Sequence, residues 1–217
     1  MESKSGNMGV ERATFAQTLD TLKREGSNLL LVGSGTADAH TAACHRLCGE
    51  SAGASRYRVV VTEDASQRAH NDCPASEPTV TIEFPVDDRT TEGETSGDER
   101  TSLGRLGLEI IETIDEFDTD AGGLEPSELR VCVDSLVSLL QNYDTEEVFR
   151  LLHVTTSRID QSRGMGHYHL AVSRDHEAVS LLEPMFDAVV ELRTRDGVHE
   201  QQWHLRDRDA KTDWVHL

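Results

Sequence analysis

The stretch LLLVGSGTADAHT, residues 29–41, contains the pattern that decides the fold. Four apolar residues run into Gly-Ser-Gly, and small residues then open a helical segment. A buried parallel strand passes into the first helix of an α/β domain in this way. We therefore predict a strand at about 28–32, a tight turn, and a helix that runs to about Leu47 and closes near Gly49.

The turn occupies the place of a phosphate-binding P-loop, whose pattern is G-x-x-x-x-G-K-[ST]. Counted from Gly33, the second Gly, the Lys and the hydroxyl residue are replaced by Asp38, Ala39 and His40. A carboxylate repels phosphate, and the missing Lys removes the main counter-charge. A shift of one residue would bring Thr41 to the hydroxyl position, but His40 would then stand where the Lys is required. The vestigial loop comprises Gly33, Ser34, Gly35, Thr36, Asp38, His40 and Thr41.

The chain is strongly acidic, with 40 Asp and Glu residues against 21 Lys and Arg residues and a net charge of -19. Such an excess of carboxylates with so few lysines is typical of halophilic archaea, where it keeps proteins hydrated in concentrated salt. The charge disfavours contact with nucleic acid or anionic lipid. The sequence contains neither a membrane-spanning run nor the apolar core of a signal peptide, so we expect a cytoplasmic protein with reduced cysteines.

Predicted strands and helices alternate along the rest of the chain. The alternation predicts an α/β domain with a mostly parallel sheet covered on both faces and an antiparallel C-terminal hairpin. We expect residues 1–9 to be flexible and residues 10–217 to form one domain, with a disordered acidic insertion at about 85–100. The predicted strands are 57–62, 79–84, 129–136, 167–173, 188–193, 198–205 and 214–217, and the other helices are 10–25, 102–117 and one that starts after Asp144.

Three motifs resemble the RecA-type ATPase core of the KaiC and RadA branch, over nearly the whole chain from Thr14 onward. They are the Gly33 loop in P-loop position, VVVTED at 59–64, and VCVDSL at 131–136. The resemblance implies a RecA-like three-layer sandwich, in which Glu63 would orient an attacking water and Asp134 would hold the Mg²⁺ shell. The acidic chain with an eroded P-loop also resembles small proteins of haloarchaea, and that resemblance brings no activity with it.

The eroded loop leads us to expect a catalytically inactive RecA/KaiC-like pseudo-ATPase without a cofactor. Such a domain would act as a binding or regulatory module, through a protein partner or through self-association. The alternative is a residual ATP-binding protein, or an accessory ATPase of recombination or signalling, that uses Mg²⁺ with Glu63 and Asp134. In so acidic a chain, Glu63 is also interpreted as a surface carboxylate, and Asp134 as a remnant that caps the next turn.

A second alternative is zinc or redox sensing through His40, Cys44 and Cys48. Their spacing of four residues places them on one stripe of a helix, and ligands at i and i+4 suit Zn²⁺, with Cys73 as a further ligand. The competing interpretation is that small Cys and Ala residues pack the helix tightly against the sheet. His167 and His169 alternate on one predicted strand, where packing explains them as well as ligation does.

Overall fold

A single nine-stranded sheet forms the centre of the residues that the computed structural model describes, which are 4–49, 56–64, 78–84, 99–206 and 210–217. The strands are β1 Ser27–Val32, β2 Tyr57–Thr62, β3 Thr79–Glu83, β4 Leu129–Val133, β5 Met165–Leu170, β6 Ala188–Arg195, β7 Val198–Leu205, β8 Ala210–Lys211 and β9 Val215–His216. The helices are α1 Lys4–Glu25, α2 Ala37–Cys48, α3 Glu99–Ala121, α4 Leu136–Asn142, α5 Thr145–Gln161 and α6 Glu177–Leu182, and a 3-10 turn follows at Glu183–Met185.

The strand order is β3-β2-β4-β5-β1-β6-β7-β8, and β9 pairs with β7. Strands β1 to β6 are parallel, whereas β7 returns antiparallel to β6. The predicted α/β class, the mostly parallel sheet and the antiparallel C-terminal hairpin are therefore confirmed. β1 lies between β5 and β6 and is buried along its whole length, because its residues face helices on both sides of the sheet.

The two faces of the sheet are covered by different helices. One face packs against α3, α4, α5 and α6 in a continuous apolar core that contains Leu30, Val131, Tyr168 and Ile114. The other face packs against α1 and α2. There, Phe15 of α1 meets Trp203 of β7 edge to face, with ring centroids 5.8 Å apart.

Two of the differences between the predicted and observed strand boundaries have an identifiable physical cause. The predicted strand 129–136 ends at Val133, because Ser135 adopts a left-handed φ of 65° and its side chain accepts a hydrogen bond from the Ser138 amide at the start of α4. Gly166 was expected to precede a strand at 167–173, but it lies inside β5. A Cβ at Gly166 would stand 2.5 Å from Asn28 Oδ1, so this glycine permits close packing instead of breaking the strand.

The structure bears on only part of the segments that we predicted to be flexible. α1 begins at Lys4 and so overlaps the predicted flexible segment 1–9. Of the predicted acidic insertion, residues 85–98 lie outside the described residues, and α3 begins at Glu99. Among the described helices, none has the length and apolar character that crossing a membrane requires.

Candidate functional site

The carboxyl ends of the parallel strands bring the predicted acidic residues to one edge of the sheet. The Asp134 amide donates to the Val61 carbonyl at 2.8 Å, so the ends of β4 and β2 are joined. Glu63 follows β2 and is exposed, and Asp134 follows β4 and is half-buried. β5 separates β4 from β1, so the Gly33 loop lies at the same edge, two strands from Asp134.

The loop between β1 and α2 is a closed turn of four residues, 33–36. The Gly33 carbonyl accepts hydrogen bonds from Thr36 Oγ1 at 3.0 Å and from His40 Nε2 at 3.1 Å. Glycine is required at position 33, because a Cβ there would stand 2.5 Å from the Leu192 carbonyl oxygen. Hydrogen bonds inside the protein therefore hold the loop in this conformation.

The remaining loop residues divide between the surface and the interior. Ala39, at the position of the P-loop Lys, is fully buried, and His40 is turned inward. Asp38 lies exposed in the first turn of α2, where the positive end of the helix dipole favours a carboxylate. An anionic ligand at this helix end would thus meet the Asp38 carboxylate, and the position of the P-loop lysine offers it only an alanine. The exposed members of the predicted set are Ser34, Gly35, Asp38 and Thr41.

A second group of chemically reactive side chains lies beneath α2, against β4 and β5. Four of them place one ligand atom each within 4.8 Å of all the others, and all four are buried: Cys44, Cys132, His167 and His169. Cys44 Sγ stands 3.5 Å from Cys132 Sγ and 3.4 Å from His167 Nε2. Cys48, one turn further along α2, places its Sγ 4.0 Å from that of Cys44. The three described cysteines form no disulfide.

His40 connects this buried cluster to the Gly33 loop. Burial, and then the neighbouring His169, lower the pKa of His40 to about 4, so its ring is neutral at pH 7. Because the Gly33 carbonyl can only accept, His40 Nε2 donates and His40 Nδ1 carries the lone pair. His169 Nδ1, 2.9 Å from His40 Nδ1, must then be the donor of that pair. The Gly33 carbonyl, as an acceptor, therefore fixes the tautomers of both His40 and His169.

The neighbours of Cys44 favour its thiolate. Hydrogen bonds with Cys132, Cys48 and His167 hold the pKa of Cys44 well below its usual range, although burial acts in the opposite direction. Burial lowers the pKa of His167, so this ring is also neutral. Thiolates and neutral imidazoles are the forms that bind transition metals. A buried Cys2His2 set could therefore hold a metal, which weighs against the expectation that the chain has no cofactor.

The structure changes the membership of the metal set predicted from sequence. Only Cys44 of the predicted trio belongs to the four, since His40 contacts His169 from the loop side and Cys48 lies beside Cys44. Cys73 lies outside the described residues. Sequence reasoning missed Cys132 and did not choose between packing and ligation for His167 and His169. The alternation of these two histidines was the available signal for a ligand pair on one strand face. It distinguishes ligation from packing only once β5 is known to pair with β4, which carries Cys132.

Both the Gly33 loop and the buried cluster lie within the part of the chain that matches a known protein family. The model of a family of unknown function, DUF7504, matches residues 26–192, a range that includes the Gly33 loop, Glu63, Asp134 and the buried cluster. No curated protein matches the chain. Because the match covers most of the sequence, this chain belongs to the DUF7504 family.

Proposed function

We propose that this chain is a RecA/KaiC-like module without ATPase activity, which works by binding a protein partner or another copy of itself. The closed Gly33 loop is the observation that carries the proposal. Its Lys position is a fully buried alanine, its outward charge is the Asp38 carboxylate, and its histidine is hydrogen bonded inside the protein. A nucleotide phosphate would meet the Asp38 carboxylate at this helix end, where a P-loop presents a lysine.

The strand order supports the RecA-like part of the proposal. The two strands that carry the acidic motifs, β2 and β4, are adjacent and parallel, and one strand separates β4 from the loop strand β1. Glu63, Asp134 and the loop thus stand at the edge of the sheet where open α/β folds bind their ligands. This placement fits a nucleotide site whose loop has since lost its chemistry.

An apolar groove between α3 and α5 supports the binding part of the proposal. It is lined by Gly107, Leu108, Leu151 and Val154, and Leu108 is 54% exposed. Exposed apolar side chains that cluster in this way are typical of protein contact surfaces. If copies of the chain associate here, sedimentation in molar KCl will show an oligomer that Leu108→Glu dissociates. A monomeric wild type would instead require a different protein partner.

Nucleotide binding is the direct test of the proposal. We expect no heat in a calorimetric titration of the full chain with ATP or ADP, in molar KCl with Mg²⁺, and no rise in melting temperature with either nucleotide. The two assays check each other, because any ligand of the folded state raises the melting temperature by mass action. Glu63→Ala and Asp134→Ala should fold like the wild type.

Micromolar binding of ATP would contradict the proposal and support the alternative of a residual nucleotide-binding protein. In that case Asp134→Ala should weaken the Mg²⁺-dependent part of the binding, and Glu63→Ala should affect hydrolysis without affecting binding. Binding that neither substitution changes would place the nucleotide outside this edge of the sheet.

A further inference from the structure

We propose that Cys44, Cys132, His167 and His169 form a closed, tetrahedral Zn²⁺ site that fastens α2 to the sheet. The inference does not rest on the proposed function, since it concerns the interior beneath α2 and holds whether or not the Gly33 loop binds nucleotide. Four residues from three elements supply the ligands: one from α2, one from β4 and two from β5.

The distances match the edges of a zinc tetrahedron. Zn–S bonds of about 2.3 Å and Zn–N bonds of about 2.0–2.1 Å place neighbouring ligand atoms roughly 3.3–3.8 Å apart. Cys44 Sγ lies 3.5 Å from Cys132 Sγ and 3.4 Å from His167 Nε2. Every separation in the set is at most 4.8 Å, so none exceeds an edge of the tetrahedron by more than about 1.5 Å. The site is therefore largely formed by the fold.

A buried lone pair provides independent support. His169 is 3% exposed, and its Nε2 has no hydrogen-bond partner among the described residues. Because His169 Nδ1 donates to His40, Nε2 is the ring nitrogen of His169 that can offer a lone pair to a metal ion. A buried acceptor without a donor costs about 1–3 kcal/mol in a folded protein. A metal ion at Nε2 removes this cost, and packing alone does not.

Charge and geometry select the metal. Two thiolates and two neutral imidazoles around a divalent cation carry no net charge, which is the state that a buried site tolerates best. A tetrahedral S2N2 set is characteristic of zinc, and four protein ligands leave no open position for catalysis. We therefore assign a structural role to the ion. It would link α2, which begins at the Gly33 loop, to both strands beneath it.

His40 is a positioning residue of this site. It accepts from His169 Nδ1 and donates to the Gly33 carbonyl, so it fixes the tautomer and orientation of a ligand ring. Removing such an outer partner typically weakens metal affinity about 10–100-fold without changing the ligand set. The same hydrogen bonds connect the metal site to the loop, so zinc would also stabilise the closed turn.

Zinc and cobalt titrations of the chelator-treated full chain, in molar KCl with a phosphine reductant, test the inference. We expect one Zn²⁺ per chain in competition with a colorimetric chelator, and a higher melting temperature with zinc than without. Co²⁺ should produce the visible absorption of a tetrahedral site together with thiolate charge-transfer bands. A wild type that binds no stoichiometric zinc, or whose melting temperature zinc leaves unchanged, overturns the inference.

Substitutions then identify the ligands. Cys132→Ser and His169→Gln should abolish stoichiometric binding or the tetrahedral cobalt spectrum, whereas Cys48→Ser is the matched control and should retain both. His40→Gln should retain the spectrum and bind about 10–100-fold more weakly. Circular dichroism checks that each variant folds. If a ligand variant fails to fold, the zinc titration of the wild type still tests whether the site binds metal. Loss of binding in Cys48→Ser with retention in Cys132→Ser would overturn the proposed set.

Discussion

The two faces of the central sheet are built from the same strands but bury different kinds of side chain. Toward α3, α4 and α5, β4 and β5 present Val131, Val133 and Tyr168 to a continuous apolar core. Toward α2, the alternate residues of the same strands are Cys132, His167 and His169. Period-two alternation makes this division possible, since successive side chains of a strand point to opposite faces.

The comparison shows how differently polar groups are satisfied on the two faces. On the apolar side, Asn28 donates to Asp160 Oδ1 at 2.7 Å and accepts from the Tyr168 hydroxyl at 3.2 Å. Beneath α2, His169 Nε2 lacks a hydrogen-bond partner among the described residues. The first arrangement is complete by itself, whereas the proposed metal ion would supply the missing partner of His169 Nε2. The following experiments test this difference.

Leu30→Ala should have the largest effect and should not depend on zinc. Leu30 is fully buried on the apolar face of β1, so truncation leaves a cavity there. We expect the free energy of unfolding to fall by about 2–5 kcal/mol, measured by denaturant titration in molar KCl. Leu181→Ala, at a 49% exposed position, is the control and should change it by less than about 0.5 kcal/mol. A zinc-dependent loss in Leu30→Ala would contradict the separation of the two faces.

Zinc removal should have the next largest effect and should act only through the α2 face. Zinc at a thousandfold excess over its dissociation constant stabilises the folded state by about 4 kcal/mol. Chelation should therefore lower the unfolding free energy of the wild type by about that amount. In Cys132→Ser, the same chelator should change nothing. Equal responses of the two proteins would show that the stabilising ion binds elsewhere.

Gly33→Ala should destabilise the protein at the point where β1 passes into α2. A Cβ at this position meets the Leu192 carbonyl oxygen at 2.5 Å, and a backbone atom cannot move away cheaply. We expect a loss of about 1–3 kcal/mol by thermal or denaturant unfolding. Gly35→Ala is the matched control, because a Cβ there has no atom within 4 Å and only its φ of 65° opposes the change. Gly35→Ala should therefore cost less than Gly33→Ala.

Asp160→Asn should have the smallest effect, visible as a change in pH dependence. Burial, and then the charge of Asp187, raise the pKa of Asp160 to about 6 from its usual 3.8, although the hydrogen bond from Asn28 opposes the shift. The folded state thus binds this proton more tightly than the unfolded state, so stability falls as pH rises from about 4 to about 6.

The Asp160→Asn variant should lack that slope and gain less than about 1 kcal/mol above pH 6, because the carboxyl is partly open to solvent. The amide oxygen of the new side chain can still accept from Asn28. Unfolding measured between pH 4 and pH 8 tests this expectation, and parallel curves for the two proteins would contradict it.

The predicted loop and strands depended on local patterns, which explains why they could be read from the chain. The run at 29–32 and the two glycines that follow specify a buried strand and a tight turn within a few residues. The strand prediction was wrong where the role of one residue depends on a contact with a residue far away in the sequence. From the sequence, Gly166 is interpreted as a residue that breaks a strand. In the structure it lies within a strand, because the Asn28 side chain leaves no room for a Cβ at this position.

By itself, the sequence determined the α/β class, the parallel sheet with its C-terminal hairpin, and the alanine at the loop position where the P-loop pattern has Lys, because hydrophobic periodicity and motif spacing are local properties. Only the tertiary structure decided which cysteines and histidines meet. Cys44 is 88 residues from Cys132 and 123 from His167 in the chain. Their contact follows from strand order, since β5 pairs with β4 and α2 packs across both. Strand order is set by the packing of the whole sheet.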